Sequence, residues 1–286
     1  MANIKIVVDN SSDIPEELAK KHDIGVINFL SVFGEEVFES GVNMTNAEFF
    51  DKLETYDVIP TTSQTPYAVM YDYFLKEARE HDTVIYFTIS AKASGQYSTM
   101  HLVRDEILEE YPEADIRIVD SEKFSLYIAN AAVNASVSAA DGMSADEIIE
   151  NFKKDVKSFR CYLLVDTLKY LEKGGRVSKT TAFVGNLLDI KPILTIENGL
   201  VESMDKLRGN KKLIDKLINK IQDDPDFDAD NPEFLVVHSD AETGEKVCEK
   251  LEDEFGKGCV RMYSEFGPIV GTHVGRKAFA IICKIK

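Results

Sequence analysis

Residues 4–15 read Ile-Lys-Ile-Val-Val-Asp-Asn-Ser-Ser-Asp-Ile-Pro. β-Branched residues running up to Asp9 predict a buried strand. Asn10-Ser11-Ser12-Asp13 end it as a polar turn, and Pro15, at a first-turn position, opens a short helix. The same strand, turn, helix order recurs downstream. Ile24–Val32, Thr83–Thr88 and Ile116–Asp120 read as strands. Helices are expected from Thr65-Pro66 to about Glu80, over Gly95–Glu110, and along the Ala-rich run that follows Asp120. Thr45…Glu48 and Ser144…Glu147 are capping boxes, in which a hydroxyl and a carboxylate satisfy each other's free amides, and the second opens a helix ending near Lys157. Alternation at this spacing implies a mainly parallel sheet with helices on both faces.

The second half reads as a more mixed α/β region. Tyr162–Val165 is an expected strand and Thr167–Lys173 a helix. Ile190–Ile196 and Leu200–Met204 form a hairpin across Asn198-Gly199, a strong two-residue turn signal. Asn210–Ile221 and Thr243–Phe255 read as helices, separated by the acidic loop 223–232. Phe234–His238, Val260–Tyr263 and Ala278–Cys283 complete the strands. The expected organisation is two α/β domains, residues 1–158 and 159–286, with a site at and below their junction.

The chain has 286 residues, 33 Lys and Arg against 50 Asp and Glu, and a formal net charge of −17. With 44% hydrophobic and 29% charged residues it belongs among ordinary globular proteins. That charge argues against general nucleic-acid binding, which needs clustered cations. The cations are unevenly spread: residues 169–220 hold eleven Lys and Arg against six acids, a local +5 within a −22 background. No apolar leader opens the sequence, and Phe124–Ala140, the longest uncharged stretch, is too diluted by Ser and Asn for a membrane span. Cys161, Cys248, Cys259 and Cys283 lack metal-type spacing and read as reduced thiols. A cytoplasmic protein is expected.

Polar residues cluster where strands should end and helices begin, the usual place for ligands in open α/β sheets. The clusters are Asp9–Asp13, Thr61–Thr65, Ser90–Gly95, Asp120-Ser121 and Gly267–Gly275. Hydroxyl-rich helix starts suit an anion held without a full counter-charge, although Ser, Thr and Asp are also ordinary cap residues. Asp9 and Asp13 most simply accept turn amides. His273 lies among three glycines and a proline, where backbone can approach a ligand and the imidazole can donate a hydrogen bond. Ser94 lacks the first glycine of a GxSxG elbow. Neither a Walker loop nor GxGxxG occurs, so nucleotide chemistry on this chain is not expected. Arg176, in Lys173-Gly-Gly-Arg-Val-Ser178, and Arg208 could meet a phosphate or an acidic partner.

Together these motifs resemble the DegV family of fatty-acid-binding proteins, the lipid-presenting subunits of bacterial fatty acid kinase. The resemblance runs from Asp9-Asn-Ser-Ser-Asp13 through Thr61-Thr-Ser-Gln64, Ser90–Tyr97, Val119-Asp-Ser121, Leu168–Ser178 and Ile190–Leu194 to Gly267–His273. It implies an acyl chain in a buried tunnel, with its carboxylate held by Thr62, Ser63, Ser94 and His273 and by the backbone of Gly95. It further implies that Arg176 and Arg208 face the kinase or the acyl-phosphate. There are three departures from the family pattern. Thr65-Pro66 stands where the family has Pro then Ser, Ala93-Ser-Gly-Gln96 replaces LSGT, and Arg276-Lys277 interrupts the last glycine motif.

The function that follows is presentation of a long-chain fatty acid to a separate kinase, for phospholipid metabolism. ATP and Mg belong to that partner. The chain itself would be monomeric, with no catalytic residue, metal, cofactor, nucleic-acid contact or stable membrane insertion. A serine-dependent acyl hydrolase using Ser94 and His273 is the alternative. A ligand-sensing regulator is a third possibility, and the acidic charge speaks against its binding DNA.

Overall fold

The computed structural model describes residues 3–40, 42–56, 58–178, 190–209 and 211–286. Lys179 and Asp189 of the basic segment, and Asn210 at the expected helix start, lie outside the described residues. The first half contains β1 (Ile4–Asp9), α1 (Glu16–Lys21), β2 (Gly25–Ile27), β3 (Leu30–Phe33), β4 (Glu36–Glu39) and α2 (Asn46–Thr55). It continues with β5 (Thr61–Ser63), α3 (Tyr67–Glu80), β6 (Thr83–Thr88), α4 (Gln96–Glu110), β7 (Ile116–Asp120), α5 (Leu126–Ala140) and α6 (Ala145–Lys157). The second half holds β8 (Phe159–Leu164), α7 (Lys169–Gly174), β9 (Ile190–Glu197), β10 (Leu200–Arg208), α8 (Leu213–Gln222) and β11 (Phe234–His238). The chain ends with α9 (Ala241–Phe255), β12 (Val260–Glu265), α10 (Pro268–Val274) and β13 (Phe279–Lys284).

A four-stranded sheet in the order β2-β1-β6-β7 is parallel throughout. Alternate side chains of its strands serve opposite faces. Ile6, Val8, Ile85 and Phe87 pack under α5 and α6 with Ala131, Ala132 and Phe152. Val7, Val84 and Tyr86 pack under α3 and α4 with Met70, Phe74, Met100 and Val103. Both faces are therefore covered, and all six residues of β6 are buried. The second half is a mixed sheet, β10-β9-β8-β13-β11-β12, in which β11 and β12 pair in parallel and the other described neighbours antiparallel. The α/β architecture expected from the sequence is present in both halves, and both capping boxes form at Thr45 and Ser144.

Three expectations need correction. Ile24–Val32 is not one strand: β2 pairs with β1, whereas β3 pairs with β4 and β5 in a separate antiparallel sheet. The break lies at Asn28-Phe29, where Asn10 Oδ1 accepts the Phe29 amide at 3.0 Å and draws the chain out of the first sheet. Gly267–Gly275, for which no helix is expected from the sequence, holds α10, with Gly267 at the N-cap and Pro268 in the first turn. Proline there costs no intrahelical bond, because that amide would be free in any case. Finally, β10 runs on to Arg208 past a bulge near Ser203, and α8 starts at Leu213.

Candidate functional site

Helix α10 is anchored by Asp13, which is buried and left-handed at φ 52°. Its Oδ1 accepts the Gly267 amide at 2.8 Å, its carbonyl accepts the Ser264 hydroxyl at 2.8 Å, and Ser125 Oγ donates to Oδ2. Burial pushes this carboxyl up to about 8. Asp9 accepts the amides of Ser11 and Ile89 at 3.1 and 2.9 Å, and burial raises its pKa as well. Asp9 therefore serves an amide of its own turn, as expected, whereas Asp13 serves the distant amide that starts α10.

These anchors position a cavity of about 270 Å³ lined by segments of both halves. Its lining includes Thr62, Ser63, Ser94, Gly95, Arg176 and His273, so six of the seven expected site residues converge. Arg208 does not line it: this exposed residue ends β10, and its carbonyl accepts the Lys216 ammonium. The polar lining is graded, with Ser63 and Gly95 exposed and Thr62, Ser94, Arg176 and His273 half-buried. The apolar lining is deeper. Phe29, Ile89, Phe124, Leu171, Ile269 and Val270 are all buried. A pocket with a wet polar rim and a dry apolar floor suits an amphipathic guest.

The rim is set up to donate. The Gln96 amide donates to Ser94 Oγ at 3.2 Å, which leaves the hydroxyl hydrogen of Ser94 available to an acceptor. Among the described residues, His273 Nδ1 is buried without a hydrogen-bond partner. Burial, with the Arg176 charge nearby, pushes this imidazole down to about 4, so it is neutral near pH 7. The ring rests on Gly174, where a Cβ would lie 2.1 Å from Nδ1. Arg176 donates from Nε to the carbonyl of Ala93 at 3.0 Å and from Nη1 to that of Gly174. One arginine thereby ties the KGGR turn to the Ser94 loop. Among the described residues no carboxylate meets Nδ1 of His273, the contact that orients the base of a hydrolase triad.

The three departures from the family pattern all make contacts here. Thr65 and Gln96 hydrogen-bond each other, and Arg276 pairs with Asp51 and Glu54 of α2 at 3.2 and 3.0 Å. The apolar floor was not foreseen: its residues come from segments scattered along the chain and share no spacing. Among the described residues no three His, Cys, Asp or Glu side chains gather as a metal site would need. Nor, among the described residues, is any helix long and apolar enough to cross a membrane. All four cysteines are free thiols.

Fold and cavity define a two-part α/β protein with an amphipathic pocket lined by both halves. The family described as "Uncharacterised protein, DegV family" matches residues 3–286. The chain belongs to the DegV family. It is similar to a DegV domain-containing protein of Clostridium perfringens, 31% identical over 280 residues that span 97% of each chain. Its structure resembles that of DegV from Bacillus subtilis, a fatty acid binding protein, with TM-score 0.86, 28% identity and full coverage of both chains. It also resembles a DegV lipid binding protein of Thermotoga maritima, with TM-score 0.83, 28% identity and coverage of 99% and 98%.

Proposed function

We propose that this protein binds a long-chain fatty acid, tail inward, with the carboxylate at the Thr62, Ser63, Ser94, Gly95 and His273 rim. The carrying observation is the graded cavity, with hydroxyls and an unpartnered neutral imidazole above a buried apolar floor. Burying a carboxylate is costly unless several donors meet it. Serine and threonine hydroxyls, the exposed backbone at Gly95 and a histidine nitrogen are such donors, and the Arg176 charge favours an anion. Each methylene that leaves water contributes about 0.8 kcal/mol, so a long chain supplies most of the affinity. The solved relatives that bind fatty acids or lipids support the same ligand class.

In this reading the carboxylate is presented to a separate fatty acid kinase, which supplies ATP and Mg and forms the acyl-phosphate. The chain acts as a cytoplasmic monomer in bacterial phospholipid metabolism. Arg176 and Arg208 face the partner or the phosphate, and the division into domains falls at 158/159. The test is mass spectrometry of an organic extract from purified protein that has never been delipidated. Recovery of a stoichiometric fatty acid is expected; no fatty acid, together with no uptake of a fluorescent analogue, overturns the proposal. Ser94→Ala and His273→Ala should each weaken fatty-acid binding by about tenfold, the scale of one hydrogen bond to a charged group. Ester turnover that vanishes in Ser94→Ala would instead favour the hydrolase.

A further inference from the structure

Gln96, the first residue of α4, is buried with its carboxamide fully engaged. Its Oε1 accepts the Thr65 amide at 3.2 Å, and its Nε2 donates to Thr65 Oγ1 at 3.1 Å and to the Tyr86 hydroxyl at 3.2 Å. Thr65, equally buried, donates its own hydroxyl to the Asn28 carbonyl at 2.8 Å. Tyr86 donates onward to Asp9 Oδ2 at 3.1 Å. The two segments that carry rim donors, Thr62–Ser63 and Ser94–Gly95, are thus stitched together just beyond those donors. A second stitch runs from the Thr99 hydroxyl to Gln64 Oε1 at 3.1 Å. The Gln96 amide also caps Ser94 Oγ, which fixes where that hydroxyl can donate. Gln64 and Ser94 line the cavity, whereas Gln96, Thr65, Tyr86 and Thr99 do not, so these four act on it only through the residues they hold.

We propose that Gln96 is a positioning residue. Its reciprocal pair with Thr65 sets the spacing between the Ser63 and Ser94 segments, so that both converge on one carboxylate. This inference rests on the cavity being a carboxylate site, and the experiment separates the two. The affinities of palmitate and hexadecan-1-ol, which differ only in the headgroup, are measured for wild type, Gln96→Met, Thr65→Val and Thr65→Ser, with thermal melts alongside. Wild type should prefer palmitate. Gln96→Met keeps the length of the side chain without its donors, and should lose about tenfold of that preference while hexadecanol binding is retained. Thr65→Val should lose part of the preference, and Thr65→Ser, which keeps hydroxyl and amide, none. A folded Gln96→Met with the wild-type ratio, or with both ligands weakened equally, overturns the positioning role. Should Gln96→Met not fold, the ratio in Thr65→Val decides by the same criterion. A wild type that binds neither ligand, or shows no preference, overturns the carboxylate site and this inference together.

Discussion

An alanine methyl at position 174 would lie 2.1 Å from His273 Nδ1, so the ring must move or the turn must open. At Gly175 the same methyl meets nothing within 4 Å, but the residue sits at φ +68°. Gly174→Ala is therefore expected to weaken fatty-acid affinity by about tenfold or more. Gly175→Ala should cost about 1–2 kcal/mol of stability and leave affinity unchanged. Titration of ligand and melts of the two variants separate these outcomes. The pH dependence of stability is also decided by single residues. The imidazole of His273, held down near 4, is protonated first in the unfolded chain, so its contribution is present above pH 6.5 and lost as pH falls towards 4. Asp13, held up near 8, has the opposite sign: its contribution is complete below about 4 and lost as pH rises through 8. Asp9 shares that sign. The slopes oppose each other between about 4 and 6.5 and leave a net fall from 6.5 to 8. Denaturant melts across this range should show that fall. Asp13→Asn should flatten it, and His273→Gln should extend it towards lower pH.

Among the elements, the β9–β10 hairpin reaches furthest beyond its own sheet. Asn198 and Gly199 take φ values of 49° and 79°, as a type I′ turn requires. A Cβ at Gly199 would also lie 2.4 Å from Ser90 Oγ, and the Ser90 carbonyl accepts the amides of Ala93 and Ser94 at 2.9 and 3.1 Å. Gly199→Ala should therefore reduce both stability and fatty-acid affinity, although position 199 does not line the cavity. Ser144→Ala at the N-cap of α6 is the control: about 1 kcal/mol lost and a melting point lower by about 2 °C, with affinity unchanged. This hairpin and the capping boxes were legible in the sequence because their chemistry is complete within a few residues. The end of β2 was not, since the group that ends it is Asn10, far back in the chain. The small sheet escaped notice because β5 is three residues of Thr-Thr-Ser, with no apolar pattern to find. In α10 the glycines masked a helix that Pro268 alone announced. The rim residues could be named through the family motifs, and the floor could not, because tertiary packing alone brings it together.

At the scale of the whole molecule, one of the hydrophobic clusters is shared by both halves. Phe29, Phe49, Phe124 and Leu126 pack in the same cluster as Leu163, Leu171, Leu194, Val201, Leu235 and Ile269. Polar ties reinforce it, from Asp13 to Ser264 and Gly267, from Arg176 to Ala93, and from Lys123 Nζ to the Ile196 carbonyl at 2.8 Å. Arg276 with Asp51 and Glu54, and Arg261 with Asn134, add two more. Unfolding should be a single transition in which far-UV and near-UV signals coincide. Fatty acid at a hundred times its Kd should raise stability by about 2.7 kcal/mol; separate transitions for the two halves would contradict the shared core. Fastened on so many sides, the halves form a sleeve rather than a clamshell. On the proposed function, such a sleeve takes a guest lengthwise rather than by swinging its walls apart. In the same proposal, with Ser63 and Gly95 exposed at the mouth, the tail enters first and the headgroup leaves first. On that proposal, whatever collects the cargo has to grip the carboxylate end.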